Sequence, residues 1–147
     1  MINAGVYIKS SASLNGSFFE DAIIFIIRNN EGGATGFIVN KPYGRSLNEL
    51  EEFKLSKPFP LLKGGPVDAE HIYVLHERPD LFKDGEQLSN GLYVGGSIEQ
   101  VINAVNNNDL TQKDLRLFIG YCGWDAGELE AEVEEGSWII LDEPPVG

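Results

Sequence analysis

Apolar residues fall along this chain in short blocks separated by glycine-, proline- and asparagine-rich stretches, a pattern that predicts many strands and few helices. Gly5-Val6-Tyr7-Ile8 reads as a short strand, and a polar loop from Ser10 to Ser17 follows before Phe18 and Phe19 re-enter the core. Ala22 to Ile27 is an unbroken β-branched and aromatic run, as in a strand buried on both faces. Asn29 to Gly33 supplies the positive backbone angles of a tight turn, so the next strand, Thr35 to Val39, closes a hairpin. Asn40-Lys41-Pro42 ends that strand, because proline cannot donate to the ladder.

Ser46 with Glu49 makes a capping box and predicts a short helix through Phe53, closed by Pro58 and Pro60. Gly64-Gly65-Pro66-Val67 reads as a turn, Ile72 to Leu75 as a strand, Glu77 to Gly85 as a polar loop, and Leu92 to Val94 as a further strand. Ser97 and Gln100 cap a helix whose apolar positions Ile98, Val101, Ile102 and Val105 recur at helical spacing. Leu115 to Ile119 is a strand entering a glycine-rich turn, Gly120-Tyr121-Cys122-Gly123-Trp124, after which Asp125 caps a helix to about Glu135. Ser137 to Leu141 is the last strand, stopped by Pro144-Pro145. No repeat or linker divides the chain, so the expected fold class is α+β, in a single domain covering residues 1–147.

Composition narrows the functional classes. A chain of 147 residues can bury one ordinary core. Its longest apolar run, Ala22 to Ile27, is far short of the roughly 20 residues that span a bilayer, and no basic start with an apolar stretch directs export. No membrane association and a cytoplasmic location are therefore expected. The single cysteine, Cys122, fits a reducing compartment and supplies neither a disulfide nor a multi-thiolate metal site. A formal charge of −12 repels a phosphate backbone, and the eleven Lys and Arg residues are scattered, so direct nucleic-acid binding is not expected.

Candidate chemistry centres on Gly120 to Glu130, where a strand, a glycine-rich turn and a helix start would expose backbone amides to an anion or carbonyl. The same glycines equally permit close helix-to-strand packing with Trp124 as core. A helix N-terminus would lower the Cys122 thiol pKa, whereas Asp125, Glu128 and Glu130 oppose a thiolate. His71 and His76, five apart on a strand, face opposite sides and make a poor metal pair; His76 alone can be an acid or base, or structural. The acidic helix reads as a solvated face. Gly64-Gly65-Pro66-Val67 lacks the Lys and Ser or Thr of a phosphate loop, and Gly32 to Gly36 precedes a strand where a dinucleotide fingerprint would follow one. No cofactor and no metal are expected.

The ordered motifs resemble those of the YqgE/AlgH family, also described as DUF179. Gly32 to Pro42 resembles a G-A-x-G hairpin ending in N-K-P, Gly64 to Val67 its G-G-P-V turn, and Leu75-His76 its L-H. Gly120-Tyr121, Gly123-Trp124, Gly127, Leu129, Glu130 and Glu132 resemble its G-Y-x-G-W-x-x-G-Q-L-E-x-E signature, with Trp138 as the tryptophan that follows. Cys122 stands where the family usually has a small residue and Glu128 replaces the usual Gln; members continue for a few dozen residues past that tryptophan, so the resemblance implies a C-terminally short member. The resemblance implies a mixed, partly barrel-like sheet surrounded by helices, and proteins labelled transcriptional regulators without an established reaction or cofactor. The acidic charge implies that any such effect is indirect.

Two functions follow as expectations, with a DNA-binding regulator, whose affinity would fall steeply with salt, as a third reading. One is a non-enzymatic regulatory domain meeting a protein partner or small ligand at a surface lined by Asn40, Lys41, Gly65, His76, Tyr121, Trp124 and Glu128, with Trp124 partly exposed beside Asn40 or His76. The alternative is a hydrolase or redox enzyme using Cys122 or His76, which needs the two side chains within hydrogen-bond reach.

Overall fold

The computed structural model describes residues 2–82, 85–88, 91–111 and 113–143. The apolar run forms strand β2, Ile23–Asn30, and β3, Gly33–Ile38, returns antiparallel with Ile24 opposite Ile38 and Phe25 opposite Phe37. Ile24, Phe25, Ile26 and Ile27 are all buried, so β2 is covered on both faces as its composition requires. β1, Tyr7–Ser10, lies between β2 and the last strand, β10, Trp138–Leu141. On the far side of β3 runs β9, Leu115–Trp124, then β6, Val67–His76, and the two short strands β8, Tyr93–Val94, and β7, Glu86–Gln87. All neighbours on this path, β10-β1-β2-β3-β9-β6-β8-β7, are antiparallel.

β9 serves three neighbours. β6 pairs along one of its edges, while the other edge takes β3 at Cys122–Trp124 and, in parallel, β5, Pro60–Lys63, at Leu117–Ile119. β4, Pro42–Ser46, pairs antiparallel with β5. The sheet curls but does not close, and among the described residues only two α-helices accompany it: α1, Ile98–Asn106, and α2, Glu128–Glu134. The expected mixed α+β architecture holds, whereas a sheet surrounded by helices does not. Five strands follow one another between residues 23 and 76, and the helical segments in that span are two 3-10 turns.

Four local expectations are corrected in the structure, and Ser97, which does stand before α1, makes no side-chain cap hydrogen bond. Gly120 to Trp124 is the end of β9 and no turn, because Tyr121, Cys122, Gly123 and Trp124 pair with Val67, Gly36, Thr35 and Ala34. The helix then starts after Gly127, at φ 79°, in place of Asp125. Ser46 caps nothing: its hydroxyl accepts from Phe59 N at 2.9 Å, and the expected helix is two 3-10 turns, Leu47–Glu49 and Glu51–Phe53, with buried Leu47 as anchor. Phe18 is exposed, and only Phe19 packs inward, its ring edge-on to Trp138 at 5.6 Å. Pro144-Pro145 lies outside the described residues.

Side-chain alternation divides the interior. Phe25, Ile27, Phe37, Leu75 and Phe118 share the inner face of the curl; Ile24, Ile26, Ile38, Cys122, Trp124 and Trp138 pack on the other face under α2, and Leu117, Ile119 and Val74 pack under α1. A strand of period two would put Phe118 and Tyr121, three apart, on opposite faces. Gly120, at φ 75°, shifts the phase by one residue, and both aromatics reach the inner face. Each such buried side chain contributes about 1.5–3 kcal/mol of transfer free energy.

Candidate functional site

The inner face opens at one end into a hollow of about 440 Å³, a size typical of small-molecule sites. β2 contributes Ile27 and Arg28, β3 contributes Thr35 and Phe37, β6 contributes Tyr73, and β9 contributes Tyr121; Glu86, Val94 and Gly95 complete the wall. Tyr73 and Tyr121 meet edge to face, centroids 5.4 Å apart and planes at 82°. Phe37 lies 6.0 Å from Tyr73 and stacks flat on Phe118 at 4.4 Å, which fixes the floor.

Polar groups sit at the rim. Arg28 Nη2 reaches Glu86 Oε2 at 2.8 Å, tying β2 to β7, and with side chains 45% and 58% exposed this pair is worth at most about 1 kcal/mol. The Tyr73 hydroxyl donates to Asp68 Oδ2 at 2.8 Å, and His71 Nδ1 lies 3.4 Å from Asp68 Oδ1. Burial, then the hydrogen bond and charge of Asp68, push the Tyr73 hydroxyl up to about 12, so it is a neutral donor at any physiological pH. A groove sharing Arg28, Thr35 and Tyr121 continues past Gly33 and Gly123 to Asp125.

The seven residues singled out from sequence do not gather here. Tyr121 lines the hollow, and Trp124 lines the adjoining groove. Trp124 is only 8% exposed, however, in the cluster of Trp138 and Leu129, with its indole N–H given to Glu132 Oε1 at 3.0 Å. Gly65 is buried against the Tyr121 backbone, where a side chain has no room. Asn40 ties two strands, accepting from Ile23 N at 2.9 Å and donating to the Asp21 carbonyl at 2.8 Å. Lys41 donates to the Phe18 carbonyl at 2.9 Å and lies over its ring. Glu128 is the exposed first residue of α2.

His76 is 1% exposed, its Nδ1 accepting from Arg78 N at 3.0 Å and its ring stacked on Tyr93 at 5.4 Å. Burial lowers its pKa, against the raising influence of the Gly95 backbone and Asp80. Trp124 pairs with Ala34, six positions before Asn40, and His76 pairs with Leu115, nine positions before Trp124. Those separations are roughly 20 and 30 Å along strands. The expected partial exposure of Trp124 beside Asn40 or His76 is therefore not found. Arg28, Tyr73 and Glu86 carry no motif and Thr35 fills the variable position of the G-A-x-G hairpin; only the order of strands from β2 to β7 would have found them.

Cys122 and His76 are likewise separated, by seven positions of β9 or roughly 23 Å. Cys122 is 1% exposed with Sγ 3.5 Å from the Gly64 carbonyl, and burial pushes its thiol up to about 12 despite the charge of Lys41. At pH 7 its thiolate fraction is on the order of a thousandfold below that of free cysteine. Iodoacetamide labelling followed by mass spectrometry should therefore leave Cys122 unmodified in the native protein and modify it promptly in urea; native labelling at the free-cysteine rate contradicts this burial.

Comparison with known proteins places this geometry. The model of the DUF179 family, described as AlgH-like, matches residues 7–146. A UPF0301 protein of Chlorobium luteolum is 39% identical over 142 residues, covering 97% of this chain and 75% of its own. One from Cytophaga hutchinsonii is 32% identical over 143 residues, covering 97% and 79%. The solution structure of the AlgH protein from Pseudomonas aeruginosa superposes with a TM-score of 0.77 at 26% identity, covering 97% of this chain and 78% of that one. A crystal structure of a Corynebacterium diphtheriae protein, at 20% identity and a TM-score of 0.72 over 99% of this chain and 78% of that one, shares the fold.

Proposed function

The chain belongs to the DUF179 family, described as AlgH-like, and on that footing we propose that it is a non-enzymatic regulatory domain that binds a small ligand or protein segment at the Tyr73–Tyr121 hollow. The observation that carries this reading is a pre-formed hollow of about 440 Å³ walled by aromatic side chains with a few polar groups at its rim. Any regulatory effect on transcription is indirect, because a chain of charge −12 is repelled by nucleic acid. A cytoplasmic location accords with this role. Among the described residues no helix is long and apolar enough to cross a membrane.

The hydrolase or redox alternative has less support: the Cys122 thiol is raised and buried, and His76 packs in another layer. Asn40, Lys41, Gly65 and Glu128 then serve the scaffold or its outer surface, while Tyr121 serves the site. An amide-resolved titration with single-ring fragments tests the reading. Shifts should cluster on Thr35, Gly95 and Tyr121, and a DNA duplex at low salt should produce none. Shifts centred on His76 or Cys122, or a response to DNA that fades with salt, would sink it.

A further inference from the structure

Resting on the binding role given to the hollow, we propose that its ligand is an organic cation, an ammonium- or guanidinium-bearing molecule whose charged head sits in the corner of Tyr73 and Tyr121, on the side of Glu86 and Asp68, while its apolar body lies on the Phe37 floor. Three features point this way. The first is the wall. Aromatic faces carry negative quadrupole density and attract cations, and the perpendicular Tyr73 and Tyr121 rings form a corner that holds a compact head from two sides. Phe37 is committed to Phe118 and supplies only floor.

The second is the charge at the mouth. Arg28 is the sole Lys or Arg among the described residues lining the hollow, and its guanidinium is already matched by Glu86 at 2.8 Å. Asp68 does not line the hollow itself but is held at its Tyr73 side by the tyrosine hydroxyl at 2.8 Å, with His71 Nδ1 3.4 Å from its other oxygen, and Asp125 closes the adjoining groove. An anionic ligand meets one guanidinium that is already half of an ion pair, with the Asp68 carboxylate nearby. A cationic ligand can use Asp68 and the Oε1 of Glu86, since Arg28 engages Glu86 through Oε2. The third is the field of the whole chain, whose charge of −12 concentrates cations at a concave, low-dielectric opening.

A matched probe series tests this on the whole chain: 2-phenylethylammonium, 2-phenylethanol and phenylacetate share a ring and differ in charge. Amide titrations at low salt should place all detectable shifts on Thr35, Gly95 and Tyr121, with the ammonium bound about fivefold more tightly than the alcohol and phenylacetate weakest. Added salt should narrow that spread. Glu86→Gln, a change at an exposed side chain, should erase most of the ammonium's advantage, leave the alcohol unchanged and strengthen phenylacetate by freeing Arg28. Tyr121→Leu should weaken both the ammonium and the alcohol, the ammonium more, because it loses the aromatic face as well as the packing. Equal affinities for the three probes, or phenylacetate binding tightest, overturn the cation preference while leaving the hollow as a binding site. If none of the three shifts those residues, the preference and the site fall together.

Discussion

Alanine at Gly65 should drop the urea midpoint far below that of the parent chain and far below that of alanine at a glycine with open space around it. Gly64-Gly65 and Gly120-Tyr121 cross backbone against backbone, so a Cβ on Gly65 would fall on the Tyr121 carbonyl and close to the Cys122 amide. The same crossing blocks Gly120, whose Cβ would meet the Gly65 carbonyl and come within 3.0 Å of Val67 O, at a φ of 75° that side chains avoid. The obstacles are main-chain atoms held in ladders to β3, β5 and β6, and they cannot rotate away as a side chain would. Either the strands part or the hydrogen bond from Gly64 N to the Ile119 carbonyl at 2.8 Å is lost, with its neighbours. A cost of about 4 kcal/mol or more follows, a large share of the 5–15 kcal/mol that holds a domain together. Gly44→Ala is the control: at φ 89° with nothing within 4 Å, it pays only for its backbone angle, about 1 kcal/mol. Urea denaturation followed by circular dichroism reads both, and a Gly65→Ala midpoint indistinguishable from the control's would show that the crossing can relax.

This crossing also explains what could and could not be read from sequence. The turn-like Gly64-Gly65-Pro66-Val67 and the strand end at Gly120-Tyr121 were recognisable as separate family motifs, yet nothing local says that each is glycine because of the other. Continuous apolar runs such as Ile23 to Ile27 and periodic ones such as Ile98 to Val105 announced their structure, since burial on two faces or one is written into their spacing. Gly120 to Trp124 was misread because glycines signal a turn locally, while pairing to Val67, Gly36 and Ala34 overrides them. Ser46 was misread for the same reason: its hydroxyl had a partner thirteen residues away at Phe59. In the site, Tyr121 was legible through its motif. Tyr73, Thr35 and Arg28 were not, because facing a common hollow depends on the one-residue phase shift at Gly120 and the three-way pairing of β9, neither of which is local.

Glu132→Ala should cost about 3 kcal/mol, and its effect should be confined to the face opposite the hollow. A single oxygen, Glu132 Oε1, accepts the indole N–H of Trp124 at 3.0 Å and of Trp138 at 2.9 Å. The two rings meet edge to face at 6.1 Å and are buried to within 8% of complete exclusion, so water cannot easily replace the lost acceptor. Each orphaned buried donor costs about 1–3 kcal/mol. Because Glu132 lies on α2 while the tryptophans belong to β9 and β10, the loss also unfastens that helix from the sheet. Glu132→Gln keeps an acceptor oxygen but forfeits the charge that strengthens both bonds, so its cost should be nearer 1 kcal/mol. The chain's two tryptophans are these two, so their fluorescence during denaturation reports on the affected cluster directly. Trp138→Phe in the Glu132→Ala background should cost less than in the parent, since one of its bonds is already gone. Additive costs, or a Gln variant as destabilised as the Ala variant, would mean that the shared acceptor is not what binds α2 to the sheet. Amide signals of Thr35 and Gly95 should stay in place throughout, because Tyr121 and Cys122 point to opposite faces of β9 and only the second lies in the tryptophan layer.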